Sequence, residues 1–181
     1  MKLLIIQTSP IHTASTFLVN AIHGLIPELF DKKIIGIWCN NFQDNFENII
    51  VVKNHDTNID KLIDKYNKIY KLIFICSERR EMNKNIDEKY KTYNNVVIFD
   101  FNELNETSNN TLTQIVDNIY NKIKKILPDI ELDNTKCIKR IELMNSRYDD
   151  IKSKPFSYID EFFQIHGSHR NRVRFSNEMI K

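Results

Sequence analysis

Glycine is scarce in this chain: it occurs three times in 181 residues, at Gly24, Gly36 and Gly167. A G-x-G-x-x-G dinucleotide loop needs three glycines close together, and a Walker A loop needs two followed by Lys. Neither pattern is present, which argues against Rossmann dehydrogenases and ordinary P-loop kinases. Cysteine is equally sparse, with Cys39, Cys76 and Cys137 at unpaired spacings. An odd, scattered set suits a reducing compartment and excludes a cysteine zinc site. An excess of one charge is missing too: 26 basic and 24 acidic residues leave a net +2. No global field draws the chain to nucleic acid or membrane, so any anion site must be local. No apolar stretch approaches the roughly 18 residues of a membrane span. The run Leu3–Ile6 also falls short of the roughly 7–15 apolar residues of a signal sequence. The expectation is a soluble, cytoplasmic protein with no membrane partner.

What is present fits a globular domain. Apolar residues make up 41% and charged residues 28%, ordinary values for a soluble fold. The length predicts a single domain over 1–181, with a core to about residue 150 and a C-terminal tail or lid over 151–181. A domain of this size buries about 70% of its unfolded surface, enough to fold without disulfides or a structural metal. Short apolar runs at Leu3–Ile6, Ile34–Trp38, Ile49–Val52, Leu72–Cys76 and Asn95–Phe101 read as strands. They are uniformly apolar, not alternating, as in a parallel sheet covered on both faces. Between and after them the pattern predicts helices over 15–29, 58–68, 79–92, 111–127 and about 135–149, the fourth being the most strongly amphipathic. Thr13 or Ser15 is the expected cap of the first helix, and Pro128 stops the fourth. The fold class is α/β, a three-layer parallel sheet flanked by helices.

In open parallel sheets ligands bind at the carboxyl ends of the strands. After the first strand comes Ser9-Pro10-Ile11-His12-Thr13-Ala14-Ser15-Thr16, dense in hydroxyls and leading into a helix. A helix N-terminus favours phosphate or sulfate, though the same hydroxyls would serve equally as caps. After the third strand come Lys53, a point charge suited to a bridging phosphate oxygen, and His55, two residues on and suited to proton transfer. They compete with a plain solvated loop. After the fourth come Arg79 and Arg80, either a fork for a second phosphate or a surface cluster paired with Glu78 and Glu81. The run His166–Arg174 is either a closing lid, an exposed basic tail or, less favoured, a nucleic-acid contact. His23 reads as structural, and the cysteines as small buried apolar residues. No group of carboxylates is placed to hold a metal.

The order of these segments resembles the sulfotransferase family that uses PAPS (3′-phosphoadenosine 5′-phosphosulfate). Pro10-Ile11-His12-Thr13-Ala14-Ser15-Thr16 is similar to the family loop P-[KR]-[ST]-G-[ST]-[ST] with one residue inserted. Lys53-Asn54-His55 after Ile50-Val51-Val52 is similar to the family's K-T-H, and Tyr70–Arg80 to its next strand and Arg-bearing loop. Val97–Leu104 matches the strand and acidic-Leu pair that follow. The resemblance covers about residues 1–130 and runs more faintly through the tail. The sequence departs from the family in three places: His12 stands at the loop's basic position, Ala14 at its glycine and Ser77 at the expected arginine.

The resemblance implies a P-loop nucleoside-triphosphate-hydrolase-like fold of sulfotransferase type and PAPS as co-substrate, leaving as PAP, without metal. It implies His55 as base and Lys53 as the charge on the bridging oxygen. It implies nucleotide binding by His12, Thr13, Ala14, Ser15 and Thr16, by Arg79, Arg80 and Asn85, and by Ser168, His169 and Arg170 of the tail. Lys84 is the other candidate for the position given to Asn85. Sulfuryl transfer would go to a hydroxyl or amine of an acceptor. The chain is short for the family, so the acceptor site is expected to be shallow, suited to a carbohydrate, or completed by a second subunit in a homo-oligomer. The other readings are a degenerate nucleotide- or glycan-binding module of the same fold and a kinase-like phosphotransferase.

Overall fold

A computed structural model describes residues 2–34, 48–105, 110–151, 153–154, 159–160 and 162–166. In chain order the elements are β1 (Lys2–Thr8), α1 (Ser15–Leu25), β2 (Ile49–Asn54), α2 (Ile59–Tyr66), β3 (Tyr70–Glu78), β4 (Val96–Asp100), α3 (Leu112–Ile126), α4 (Asn134–Ile151), β5 (Ile159–Asp160) and β6 (Ile165–His166). The chain groups into two compact units, one of Met1–Val19 and Ile35–Asn102, the other of Asn20–Ile34 and Glu103–Lys181. Among the described residues no helix is long and apolar enough to cross a membrane.

The first unit is an all-parallel four-stranded sheet in the order β2-β1-β3-β4. Its strands bury residues on both faces, which is why they read as continuous apolar runs. Leu4, Ile6, Ile50, Val52, Leu72, Phe74 and Cys76 share one face and pack with Ile59, Leu62 and Tyr66 of α2. The other face carries Leu3, Ile5, Ile73 and Ile75 and then changes character at its carboxyl end, where Gln7, Ser9, Lys53 and Ser77 are all buried. Register places Gln7 between Lys53 and Ile75, so Gln7 and Lys53 share one row, and Ser9 and Ser77 follow two residues on along the same face. Asn58 caps α2 by accepting from the Lys61 N–H.

In the second unit Gly24 lets two helices meet closely: a Cβ there would lie 2.7 Å from Cys137 Cα of α4. The Cys137 thiol donates to the Ala21 carbonyl at 3.3 Å. Arg140, buried, donates to the carbonyls of Phe30 and Phe162 and lies 4.9 and 5.0 Å from the Phe162 and Phe163 rings. Burial holds its guanidinium down to about 10. Burial, with the Arg140 charge added, holds the His23 imidazole down to about 3, so His23 is neutral and structural. Thr111 and Gln114 form a capping box at the start of α3, and β5 and β6 pair antiparallel.

Three expectations need correction. Residues 79–92 form no helix. A 3-10 turn over Arg80–Met82 ends at Asn83, left-handed at φ 54, an antiparallel bridge joins Arg79 to Lys84, and a second 3-10 turn spans Glu88–Thr92. Only Ile86 and Tyr90 are buried there, too few for an amphipathic stripe. The first helix stops at Leu25, not 29, because Ile26 before Pro27 is extended (φ −97, ψ 106). Neither Thr13 nor Ser15 caps α1: the first intrahelical bond runs from Leu18 N–H to the Ala14 carbonyl, and Thr13 donates to Pro10 instead. The strand expected at Ile34–Trp38 and the residues Ser168, His169 and Arg170 lie outside the described residues, apart from Ile34 itself.

Candidate functional site at the carboxyl ends of β1, β2 and β3

The segment from Ser9 to Ala14 leaves β1 and enters α1 through two left-handed residues, His12 (φ 70) and Ala14 (φ 65), while Thr13 between them is not left-handed. Each such conformation costs a non-glycine residue about 1–2 kcal/mol. Alternating handedness of this kind turns successive backbone N–H groups toward one concavity, the shape that takes anions. Ala14, at the cap of α1, has no side-chain acceptor to offer the first turn.

A hydroxyl chain holds this turn in place. Thr13 Oγ1 donates to the Pro10 carbonyl at 2.7 Å. Ser77 Oγ donates to Thr13 Oγ1 at 3.0 Å. Ser9 Oγ accepts from Ser77 N–H at 2.8 Å and from Gln7 Nε2 at 2.6 Å. The Ser9 and Ser77 hydroxyls are 3.0 Å apart. The single hydroxyl proton of Ser77 goes to Thr13, so Ser9 supplies the proton between them. Thr13 is fully buried with its proton engaged; it braces the loop and has none to give a bound anion.

From the neighbouring strand, Lys53 Nζ donates to Thr16 Oγ1 in the first turn of α1 at 2.9 Å, and Lys53 is 3% exposed. His55 Nδ1 lies 2.8 Å from the Ser9 carbonyl. Asn54 sets the backbone there: its Oδ1 accepts from the N–H groups of His55 and Asp56, and its Nδ2 donates to the Asp56 carbonyl. Thr8 Oγ1 donates to the same carbonyl at 2.6 Å. Lys53 and His55 therefore converge on the loop with His12, Thr13, Ala14, Ser15 and Thr16.

The arginines are engaged elsewhere. Arg79 Nε meets Glu81 at 2.6 Å and its guanidinium lies 3.9 Å over the Phe101 ring. Arg80 donates through Nε and Nη2 to the buried Glu78 carboxylate, at 2.9 and 2.8 Å. That partner holds the Arg80 guanidinium even more firmly protonated than usual. Asn85 is exposed, whereas Lys84 Nζ reaches the Ile11 carbonyl at 2.7 Å and ties the turn after β3 to the loop. Cys76 beneath the site is inert: burial, then the Glu78 charge, push its thiol up. Among the described residues no group of His, Cys, Asp or Glu is placed to hold a metal ion.

Gln7, and the bracing roles of Ser9 and Ser77, are what a residue-by-residue reading misses. Their signal was the apolar run itself: following its two-residue period past Ile5 and Ile75 leads directly to them. No protein-family model matches the chain, and neither does any curated protein.

Proposed function

We propose that the chain binds the 5′-phosphosulfate end of a PAPS-type nucleotide on the loop from Ser9 to Thr16 and transfers its sulfuryl group to an acceptor hydroxyl or amine. One observation carries the reading: Lys53 and His55, from a different strand, reach Thr16 and Ser9 of that same loop. The donor set suits a doubly charged anion, combining a left-handed pair at His12 and Ala14, a helix start and a buried ammonium.

When bound, PAPS supplies the sulfuryl group and departs as PAP. The loop amides and Ser15 orient the anion. Lys53 sets positive charge beside Thr16, where negative charge develops. His55 takes the acceptor's proton on Nε2. This is positioning plus electrostatic stabilisation, with no metal required. The acceptor reading stays with an extended molecule such as a carbohydrate.

A second reading has its own support. Arg79 and Arg80 pair with Glu81 and Glu78, which favours a module that binds nucleotide or glycan without turnover. Thermal unfolding with PAP, ATP and AMP, with and without Mg²⁺, separates the cases. Stabilisation selective for PAP and indifferent to Mg²⁺ supports the site, and Mg²⁺-dependent ATP stabilisation supports a kinase-like phosphotransferase. Transfer of label from PAPS to carbohydrate acceptors then separates enzyme from binder. No response to any nucleotide overturns the proposal.

A further inference from the structure

We propose that Ser9 is a positioning residue that fixes which nitrogen of His55 carries the proton; this rests on His55 serving as the base. A backbone carbonyl only accepts, so the 2.8 Å contact between His55 Nδ1 and the Ser9 oxygen requires the hydrogen on Nδ1. In the neutral ring the lone pair then sits on Nε2. The other tautomer would set the Nδ1 lone pair against the carbonyl lone pairs at that distance.

The carbonyl can select a tautomer only if its own direction is fixed, and Ser9 is held at every polar atom. Its N–H donates to the Asn54 carbonyl at 3.4 Å, and its hydroxyl accepts from Ser77 N–H and Gln7 Nε2. Ser9, Gln7 and Ser77 are all fully buried, so water does not compete for these bonds. Asn54 fixes the other end of His55 through its backbone N–H. The imidazole is thus anchored at its Cα by one strand and at its ring by another. A histidine that merely packed would not need the hydroxyl of Ser9.

The test is the ring-nitrogen spectrum of His55 in the full chain, assigned with His55→Gln and recorded at alkaline pH where the ring is neutral. The expected result is one tautomer in the unmodified protein, with the proton on Nδ1. Ser9→Ala removes the hydroxyl and keeps the carbonyl, and should give a mixture of both tautomers, with Ser9→Thr restoring the original pattern. Where transfer is measurable, Ser9→Ala should lower kcat by about two- to tenfold with little change in KM for the nucleotide. If Ser9→Ala does not fold, Gln7→Met, which loses one of the two hydroxyl contacts, should give a smaller change of the same kind. A proton on Nε2 in the unmodified protein, or an unchanged tautomer in both variants, overturns the proposal. If PAP neither stabilises the chain nor donates sulfuryl while the ring pattern behaves as stated, the transferase reading fails and the positioning role of Ser9 stands.

Discussion

The Lys53 ammonium lies 2.9 Å from the Thr16 hydroxyl, so the end of one buried strand touches the first turn of the helix that follows its neighbour. Lys53→Met keeps the stem and removes the charge. PAP affinity should fall by at least about tenfold, because a charge-assisted contact in a water-poor site is lost. The urea midpoint should change little, because relief of the buried ammonium's desolvation is set against loss of its bond to Thr16. Titration calorimetry and urea unfolding check the two halves separately.

His55→Ala should leave PAP binding within about twofold of the unmodified protein while cutting turnover by about 10²–10⁴, the usual contribution of a general base. Parallel binding and rate measurements decide it. Unchanged turnover removes His55 from that role.

Ala14→Gly relieves a left-handed alanine at φ 65. The relief of about 1–2 kcal/mol is partly offset by the greater freedom of glycine in the unfolded chain, about 0.4–1 kcal/mol. Stability should therefore rise by about 0.5–1 kcal/mol, read as a higher urea midpoint. A lower midpoint would mean that the methyl group is packed against something worth more than the strain.

Gly24→Ala should destabilise by about 1–3 kcal/mol, the usual effect of overpacking. Its Cβ would meet the Cys137 backbone at 2.7 Å, and backbone cannot swing aside as a side chain can. Thermal unfolding measures it, and an unchanged melting temperature would show that the crossing of α1 and α4 can open freely.

Acid should weaken the fold through His23. Its folded value of about 3 lies below the ordinary 6.5, so between the two the unfolded chain binds the extra proton. Stability is fully present above pH 6.5 and falls as pH drops toward about 3, by up to about 1.4 kcal/mol per unit. Unfolding between pH 7 and about 5 isolates this effect from Asp60 and Glu81. Those carboxylates are held below their usual range, Asp60 chiefly by Lys89 and Glu81 chiefly by Arg79, and they matter only at lower pH. His23→Gln should flatten the curve in that window.

The parallel sheet was legible because burial on both faces writes itself into the sequence as unbroken apolar runs such as Leu3–Ile6 and Leu72–Cys76. The convergence of Lys53 and His55 on the first loop could be expected because ligand ends of parallel strands share an edge. The turn over 79–84 was not, since Asn83 adopts a left-handed conformation that composition does not announce. Nor was the role of Ser77: one hydroxyl is silent until register places it beside Ser9. The pairing of Arg79 with Glu81 and of Arg80 with Glu78 was one of the two readings open in the sequence; the burial of Glu78 was not legible there.

The contact of Arg140 with Phe162 bears on biosynthesis. Once the ribosome has passed Asn102, every strand described in the first unit has been synthesised. The second unit takes Asn20–Ile34 from the start of the message, yet a buried cation in it waits for a carbonyl made some sixty residues after Asn102. A stop codon between Arg140 and Phe162 would thus release a polypeptide whose buried guanidinium lacks one of its two carbonyl partners, a natural substrate for quality-control proteases.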